Sequence, residues 1–299
     1  MINHQALYRW YESAKRELPW RETDDPYRIW LSEIILQQTR VQQGMDYWWR
    51  FVERFPRVED LAAASEDEVM LLWQGLGYYS RARNLHKAAQ LVVERGQTPF
   101  PKTFEDVLAL PGVGEYTAGA IMSFAYDAPY PAADGNVYRV LSRLMDSDEP
   151  FDTTAGKKLF RQFAWDILDR EHPRLHNSAI MELGALFCTP GQPDCAHCPL
   201  TGQCKAYEAG TVSLLPVRKE RPKLKERWLL YSIYLTADGQ TLIHQRCEKD
   251  IWQHLWEFPL AEYPDGESFE AASEGFAWEG LHVLSHQRLH ARFIVKRVR

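Results

Sequence analysis

No apolar run in the 299 residues reaches the ~18 that a membrane-spanning helix needs, so no membrane partner is expected. The polar and aromatic stretch 1–16 lacks the apolar core of a signal peptide, which points to the cytoplasm, in a bacterium alongside the nucleoid, or to the nucleus or mitochondrion in a eukaryote. Positive charge is also scarce. A net charge of −6 and a pI near 6.0 argue mildly against nucleic acid as a partner, since a strongly basic domain is the plainer sign of one. Local patches and helix N-termini bind phosphate without net charge, so this deficit does not exclude DNA. Cysteine is limited to five residues, and four of them crowd into 188–204. In a reducing compartment such crowding suggests metal rather than disulfides. No repeat or low-complexity tract is present.

What is present can fill a sizeable core: 45% of residues are hydrophobic and 25% charged, enough for one large domain or two ordinary ones. Most of the first 210 residues carry helical periodicity. Residues 65–72 follow a Ser N-cap with Glu68 three positions on, and 159–168 is a similar amphipathic stretch. Asp25-Pro26 opens a helical run over 27–38, with Asp as cap and Pro at the first helical position. Composition then shifts. Residues 216–226 hold Arg218, Lys219, Arg221, Lys223 and Lys225 with two prolines, a linker that is either solvated or laid along a DNA backbone. Beyond it the period becomes two: a strand over 228–236, a turn at Asp238-Gly239, a return strand over 241–246, and another strand over 293–298. The expected architecture is a mainly α domain over 1–212, a basic linker over 213–226, and a small α+β domain over 227–299.

Three constellations carry chemistry. Cys188, Cys195, Cys198 and Cys204 are spaced Cys-x6-Cys-x2-Cys-x5-Cys, close enough to close around one metal centre. Structural zinc is one occupant, although the spacing is not that of paired zinc knuckles or of the common ferredoxins. Between helix-like 103–110 and 115–124 sits Leu110-Pro111-Gly112-Val113-Gly114. Gly112 and Gly114 allow a tight turn and close approach to another molecule, and the second helix directs free N–H groups outward as a phosphate site. An ordinary helix–helix turn is the alternative. Some twenty residues later Asp134-Gly135-Asn136 opens a helix over 137–144. Asp134 suits an N-cap. Kept ionised at a helix N-terminus, it also suits stabilisation of an oxocarbenium ion during glycosidic cleavage. Asn136 either orients that carboxylate or a water, or is a plain turn residue.

The order hairpin, spacer, aspartate and cysteine loop, spanning about residues 5–210, resembles the helix–hairpin–helix DNA glycosylase superfamily. The cysteine spacing resembles the 4Fe–4S loop of its endonuclease III and MutY branches. The run Trp30-Leu31-Ser32-Glu33-Ile34-Ile35-Leu36-Gln37-Gln38-Thr39 is similar to the MutY branch, where the matching Glu protonates adenine N7. Periodicity alone allows Glu33 to face water; if buried, it would hold a proton near neutral pH and serve as a general acid. Position 116 is Tyr116, where lyase relatives use a Lys as amine nucleophile, which implies a monofunctional enzyme using water. Tyr116 is read either as a hydrogen-bond partner of Asp134 or as a packed surface aromatic. The resemblance places Trp20 and Arg21 in an adenine pocket, and Gln38, Thr39, Leu76 and Tyr78 against the duplex as wedges or lesion-strand contacts. Leu76 and Tyr78 also suit core or loop positions. Ser178 departs from a Glu or Gln that some relatives place near the adenine.

The stretch Leu255-Trp256-Glu257-Phe258-Pro259 resembles the Nudix-like C-terminal domain of the MutY branch, and Ser285-His286 matches its lesion-reading loop, with Leu284 where the family has Phe. No acidic Nudix box occurs over 263–274, which implies recognition rather than pyrophosphatase chemistry. Its tryptophans also suit ordinary core. The chain stops sooner after this loop than is usual in the family, so the domain is either short or a fragment. The resemblance implies a monomeric adenine glycosylase acting on double-stranded DNA with A:8-oxoguanine or A:G mispairs, carrying a 4Fe–4S cluster. Two rivals remain: an endonuclease III-like pyrimidine glycosylase and lyase, and a non-catalytic lesion-binding iron–sulfur protein.

Overall fold

A computed structural model describes residues 2–219 and 223–298. The chain divides into two compact units, Met1–Lys219 and Glu220–Arg299.

The first unit is helical. In chain order its helices are α1 (His4–Ala14), α2 (Pro26–Ile35), α3 (Val41–Arg54), α4 (Val58–Ala63), α5 (Glu66–Trp73), α6 (Ser80–Glu94), α7 (Phe104–Leu108), α8 (Glu115–Tyr126), α9 (Gly135–Met145), α10 (Thr154–Ile167), α11 (Pro173–Glu182) and α12 (Lys205–Ala209). Caps set several of their starts as the sequence implies. Asp25 accepts from Tyr27 N at 2.9 Å ahead of Pro26, Ser65 Oγ accepts from Glu68 N at 3.2 Å, and Asp134 accepts from Val137 N at 2.8 Å. Two separate cores form. One gathers Trp30, Phe51, Trp73, Leu85 and Ile121 from α2 to α8. The other gathers Leu7 and Tyr11 of α1 with Leu141, Phe160 and Leu183. The unit therefore has two lobes, with α8 of the first packed on α11 of the second.

Helix α2 ends at Ile35, three residues short of the expected 38. The carbonyls of Ile34, Ile35 and Gln37 accept from the Arg81 guanidinium, and Gln38 turns left-handed at φ 56. A side chain from α6 has displaced the helix's own continuation. The linker is also shorter than expected. Residues 213–219 lie on the helical unit: Arg143 Nε donates to Leu215 O at 3.2 Å, and Lys219 N donates to Asp152 Oδ1 at 2.8 Å. Lys225 already belongs to a strand. Arg221 lies outside the described residues.

The second unit carries β1 (Lys225–Leu235), β2 (His244–Gln245), β3 (Trp256–Glu257), β4 (Leu260–Tyr263), α13 (Gly266–Ala272), β5 (Trp278–Val283) and β6 (Gln287–Arg297). Its main sheet runs β4-β1-β6-β5, with β1 and β6 parallel and the other pairs antiparallel. The register sets Trp228 beside His290, and their rings stack at 3.9 Å. The expected return strand over 241–246 does not form a ladder with β1. Only Thr241 bridges Leu235, while His244 and Gln245 pair with Glu257 and Trp256. The cause is topological: β4 and β6 already occupy both edges of β1. The strand expected at 293–298 is the end of a longer one that begins at Gln287.

Candidate active site

Between the two helical lobes lies a cavity of about 610 Å³, a size suited to a small ligand. Of the residues singled out by sequence, Glu33, Tyr116, Asp134 and Asn136 line it together with Trp20, Arg21, Gln38 and Thr39.

Glu33 stands near the C-terminal end of α2 between apolar neighbours and is 9% exposed. Burial is the largest influence on its carboxyl and, with the nearby Asp134 charge, raises it to about 7; a hydrogen bond with Tyr116 and the Arg21 charge oppose the rise. The group therefore holds a proton near neutral pH while facing an open cavity. Tyr116, near the start of α8, is half-buried on the cavity wall beside Glu33, and among the described residues its side chain makes no hydrogen bond to Asp134. Its hydroxyl is pushed far up by burial and by both carboxyls.

Asp134 caps α9. Oδ1 accepts from Val137 N at 2.8 Å and Oδ2 accepts from Asn136 Nδ2 at 2.8 Å. Burial pushes this carboxyl up from its ordinary value, and the bonds from Val137 and Asn136 oppose that rise. Asn136 orients the carboxylate and is itself held by Arg139 Nη2, at 3.0 Å from Asn136 Oδ1. Arg139 Nε donates to Cys188 O at 2.7 Å, so a continuous bonded path joins Asp134 to the first cysteine.

The sequence reading missed Glu182. Its side chain is fully buried, accepts from Arg16 Nη2 and Arg21 Nη2 at 2.7 Å each, and is held down to about 2 by these guanidiniums against the effect of burial. It fixes Arg21 on the cavity wall. No local motif marks it; only the fold joins the N-terminus to α11. Arg139 and Arg143 were legible in principle, since they repeat from Asn136 at helical spacing along one face of α9. Ser178 lines the cavity at 8% exposure.

The hairpin stands apart from the cavity. Gly112 has φ +78, and a Cβ there would come within 2.9 Å of Asn84 Cβ, so both backbone and space require glycine. Gly114 caps α8 on an exposed turn. Tyr78 is 52% exposed, as a duplex contact needs, but Leu76 is buried at 7% within the first core. As a wedge, Leu76 is therefore not presented; packing of the α5–α6 loop has taken it inward. Ser285 and His286 form the exposed turn between β5 and β6, with Ser285 Oγ 3.3 Å from His286 Nδ1.

The four cysteines are free thiols, and Cys188, Cys198 and Cys204 pack against the second core. Arg143 Nη1 lies 3.3 Å from Cys188 Sγ, and Cys204 Sγ lies 3.4 Å from Arg143 O. Among the described residues, no group of three or more His, Cys, Asp or Glu side chains is arranged to hold a metal ion. A single zinc requires four donors converging on one point. The donor set, four thiols within seventeen residues of one loop beside a buried guanidinium, is chemically suited to a thiolate-bound metal centre.

Residues 31–165 match the family described as HhH-GPD superfamily base excision DNA repair protein, and residues 230–299 match the NUDIX domain family. An adenine DNA glycosylase of Buchnera aphidicola (from Schizaphis graminum) is 36% identical over 263 residues, covering 85% of this chain and 74% of the relative. The chain belongs to the adenine DNA glycosylase family. It is thus a DNA N-glycosylase of base excision repair, built from a helix–hairpin–helix domain and a Nudix-like C-terminal domain. The mouse adenine DNA glycosylase is 43% identical over 227 residues, covering 72% of this chain and 44% of that one. Among solved structures, a thermostable thymine-DNA glycosylase superposes with a TM-score of 0.63 at 26% identity, over 69% of this chain and 94% of that one. An endonuclease III in a non-covalent DNA complex gives 0.58 at 22% over the same shares, a likeness of fold alone.

Proposed function

We propose that this adenine DNA glycosylase binds duplex DNA as a monomer and hydrolyses adenine from A:8-oxoguanine and A:G mispairs without cutting the backbone. The observation that carries the reading is the pairing of Glu33, protonated up to about pH 7, with Asp134, held by Val137 N and Asn136, on one cavity. The exposed hairpin at 112–114 offers backbone N–H groups to a phosphate. Adenine leaves the stack and enters the cavity beside Trp20 and Arg21. Glu33 delivers its proton to adenine N7, the base leaves with the electrons of the glycosidic bond, and Asp134 stabilises the cation left on the sugar. Water then adds, with retention through the Asp134 side, and no amine at position 116 competes for the sugar. Cys188, Cys195, Cys198 and Cys204 would hold a 4Fe–4S cluster, which when bound cross-links the loop and takes no part in these steps. In the C-terminal unit, the Ser285 hydroxyl both donates and accepts, which suits the N7–H and the new carbonyl of 8-oxoguanine.

Single-turnover base release from A:8-oxoguanine, A:G and thymine-glycol duplexes, with and without alkali, tests the reading. Adenine release with strand breaks only after alkali supports it. Thymine-glycol cleavage with breaks in the absence of alkali contradicts it in favour of an endonuclease III-like lyase.

A further inference from the structure

Arg81, in the first turn of α6, is a buried guanidinium whose side-chain hydrogen bonds end on the last turn of α2, on the turn that follows it and on the turn before α6. Nη1 donates to Ile34 O, Ile35 O and Gln37 O at 3.0, 2.9 and 2.6 Å. Nη2 makes longer contacts, to Thr39 Oγ1, Leu76 O and Gly77 O at 3.4, 3.5 and 3.3 Å. The group sits 4.9 Å from the Trp73 ring and 5.7 Å from the Tyr78 ring. Burial lowers its pKa only to about 10, so it stays charged at neutral pH. The turns after α2 and before α6 each contain a non-glycine residue in the left-handed region, Gln38 at φ 56 and Tyr78 at φ 47. Each of these directly follows a residue, Gln37 or Gly77, whose carbonyl Arg81 holds. Such conformations cost energy and persist only where surrounding bonds over-determine them. Gln38 and Tyr78 are both exposed.

We infer that Arg81 is a positioning residue for base extrusion: its fork locks the 37–39 and 76–78 turns into one rigid unit that presents Gln38 and Tyr78 to the duplex together. The inference rests on the proposed reading that adenine leaves a duplex to enter the cavity that Gln38 and Thr39 line. Lysine cannot replace the fork, because one ammonium reaches one turn at a time.

The test compares single-turnover adenine release on two duplexes. In one the adenine opposes guanine; in the other it opposes an abasic-site analogue, so that less pairing opposes its exit. Arg81→Lys is expected to be slower than the unaltered chain by about tenfold or more on the first, as misplacement of an orienting group implies. On the second the gap narrows to about threefold or less, because extrusion is easier there. With 2-aminopurine in place of adenine, the fluorescence rise on binding A:G-type duplex falls in the variant. Gly77→Ala is the second route. Its Cβ would meet nothing within 4 Å but would sit at φ +70, so it strains the same turn through the backbone, whose carbonyl Arg81 holds, while leaving the Arg81 side chain itself intact. It should show the same duplex-selective loss, and it decides the matter if Arg81→Lys does not fold. Equal losses on both duplexes, which a general structural or acid-positioning role produces, overturn the inference, as does no loss on either. Failure of the unaltered chain to release adenine from either duplex is a failure of the functional reading instead.

Discussion

A carboxyl held near neutral pH by burial leaves a mark on stability as well as on chemistry. Glu33 is at about 7 in the folded chain against 4.5 for the free group. Between those values the folded chain holds a proton that the unfolded chain has lost. Stability attributable to this residue therefore falls as pH rises from about 4.5 to about 7 and is level above that. Glu33→Gln keeps the shape and removes the penalty of the buried charge. Urea denaturation at pH 8 should show the variant more stable by about 3 kcal/mol, with the difference vanishing near pH 4.5. An equal or lower stability at pH 8 would contradict the burial argument. Tyr116 supports a second prediction. Tyr116→Lys sets an amine beside Glu33 and Asp134, and borohydride should trap some of it as a Schiff base with DNA. Little trapping is expected from the unaltered chain; strong trapping there would mean that another lysine serves as nucleophile.

At the scale of elements, local patterns and long-range contacts divide what was legible. Helix starts could be read because Asp25, Ser65 and Asp134 cap their own helices within three residues. The end of α2 could not be, because Arg81 arrives from 46 and 47 positions away to take its carbonyls. The pairing of β1 escaped for the same reason: a two-residue turn signals a hairpin, but only the whole sheet reveals that both edges of β1 are filled. Within the site, Glu33 and Asp134 were visible because each sits in its own motif, whereas Glu182 is defined by partners 161 and 166 positions away. Glu182 lies at about 2 in the folded chain against 4.5 when free, so its contribution is complete above pH 4.5 and is lost as pH falls through about 2. Glu182→Ala should cost about 3–5 kcal/mol in urea denaturation at pH 7, as expected for breaking a buried pair. A loss under about 1 kcal/mol would mean that Arg16 and Arg21 find other partners or solvent.

For the whole molecule, hydrogen bonds run from Asp134 through Asn136 and Arg139 to Cys188 O and tie the cysteine loop to the cavity wall. The purified protein should contain about four irons per chain, and Cys198→Ser should lower both iron content and duplex binding. One equivalent of zinc without iron, from an anaerobic preparation of iron-replete cells, would contradict the cluster. The C-terminal unit makes a separable contribution. Ser285→Ala with His286→Ala should narrow the preference for A:8-oxoguanine over A:G by about 1 kcal/mol, at one salt concentration, and hardly change chemistry on A:G. An unchanged ratio would remove that turn from lesion reading. The central claim is that Glu33 acts as the acid and Asp134 as the stabiliser of the cation. The most direct test is the single-turnover rate of adenine release across pH 5 to 9 for the unaltered chain and Glu33→Gln. The unaltered chain should hold a plateau below about pH 7 and then lose about tenfold per unit, while the variant binds duplex normally but is slower by at least ~10²-fold at pH 6, without that inflection. A variant that releases adenine within a few-fold of the unaltered chain, with the same inflection, would contradict the account.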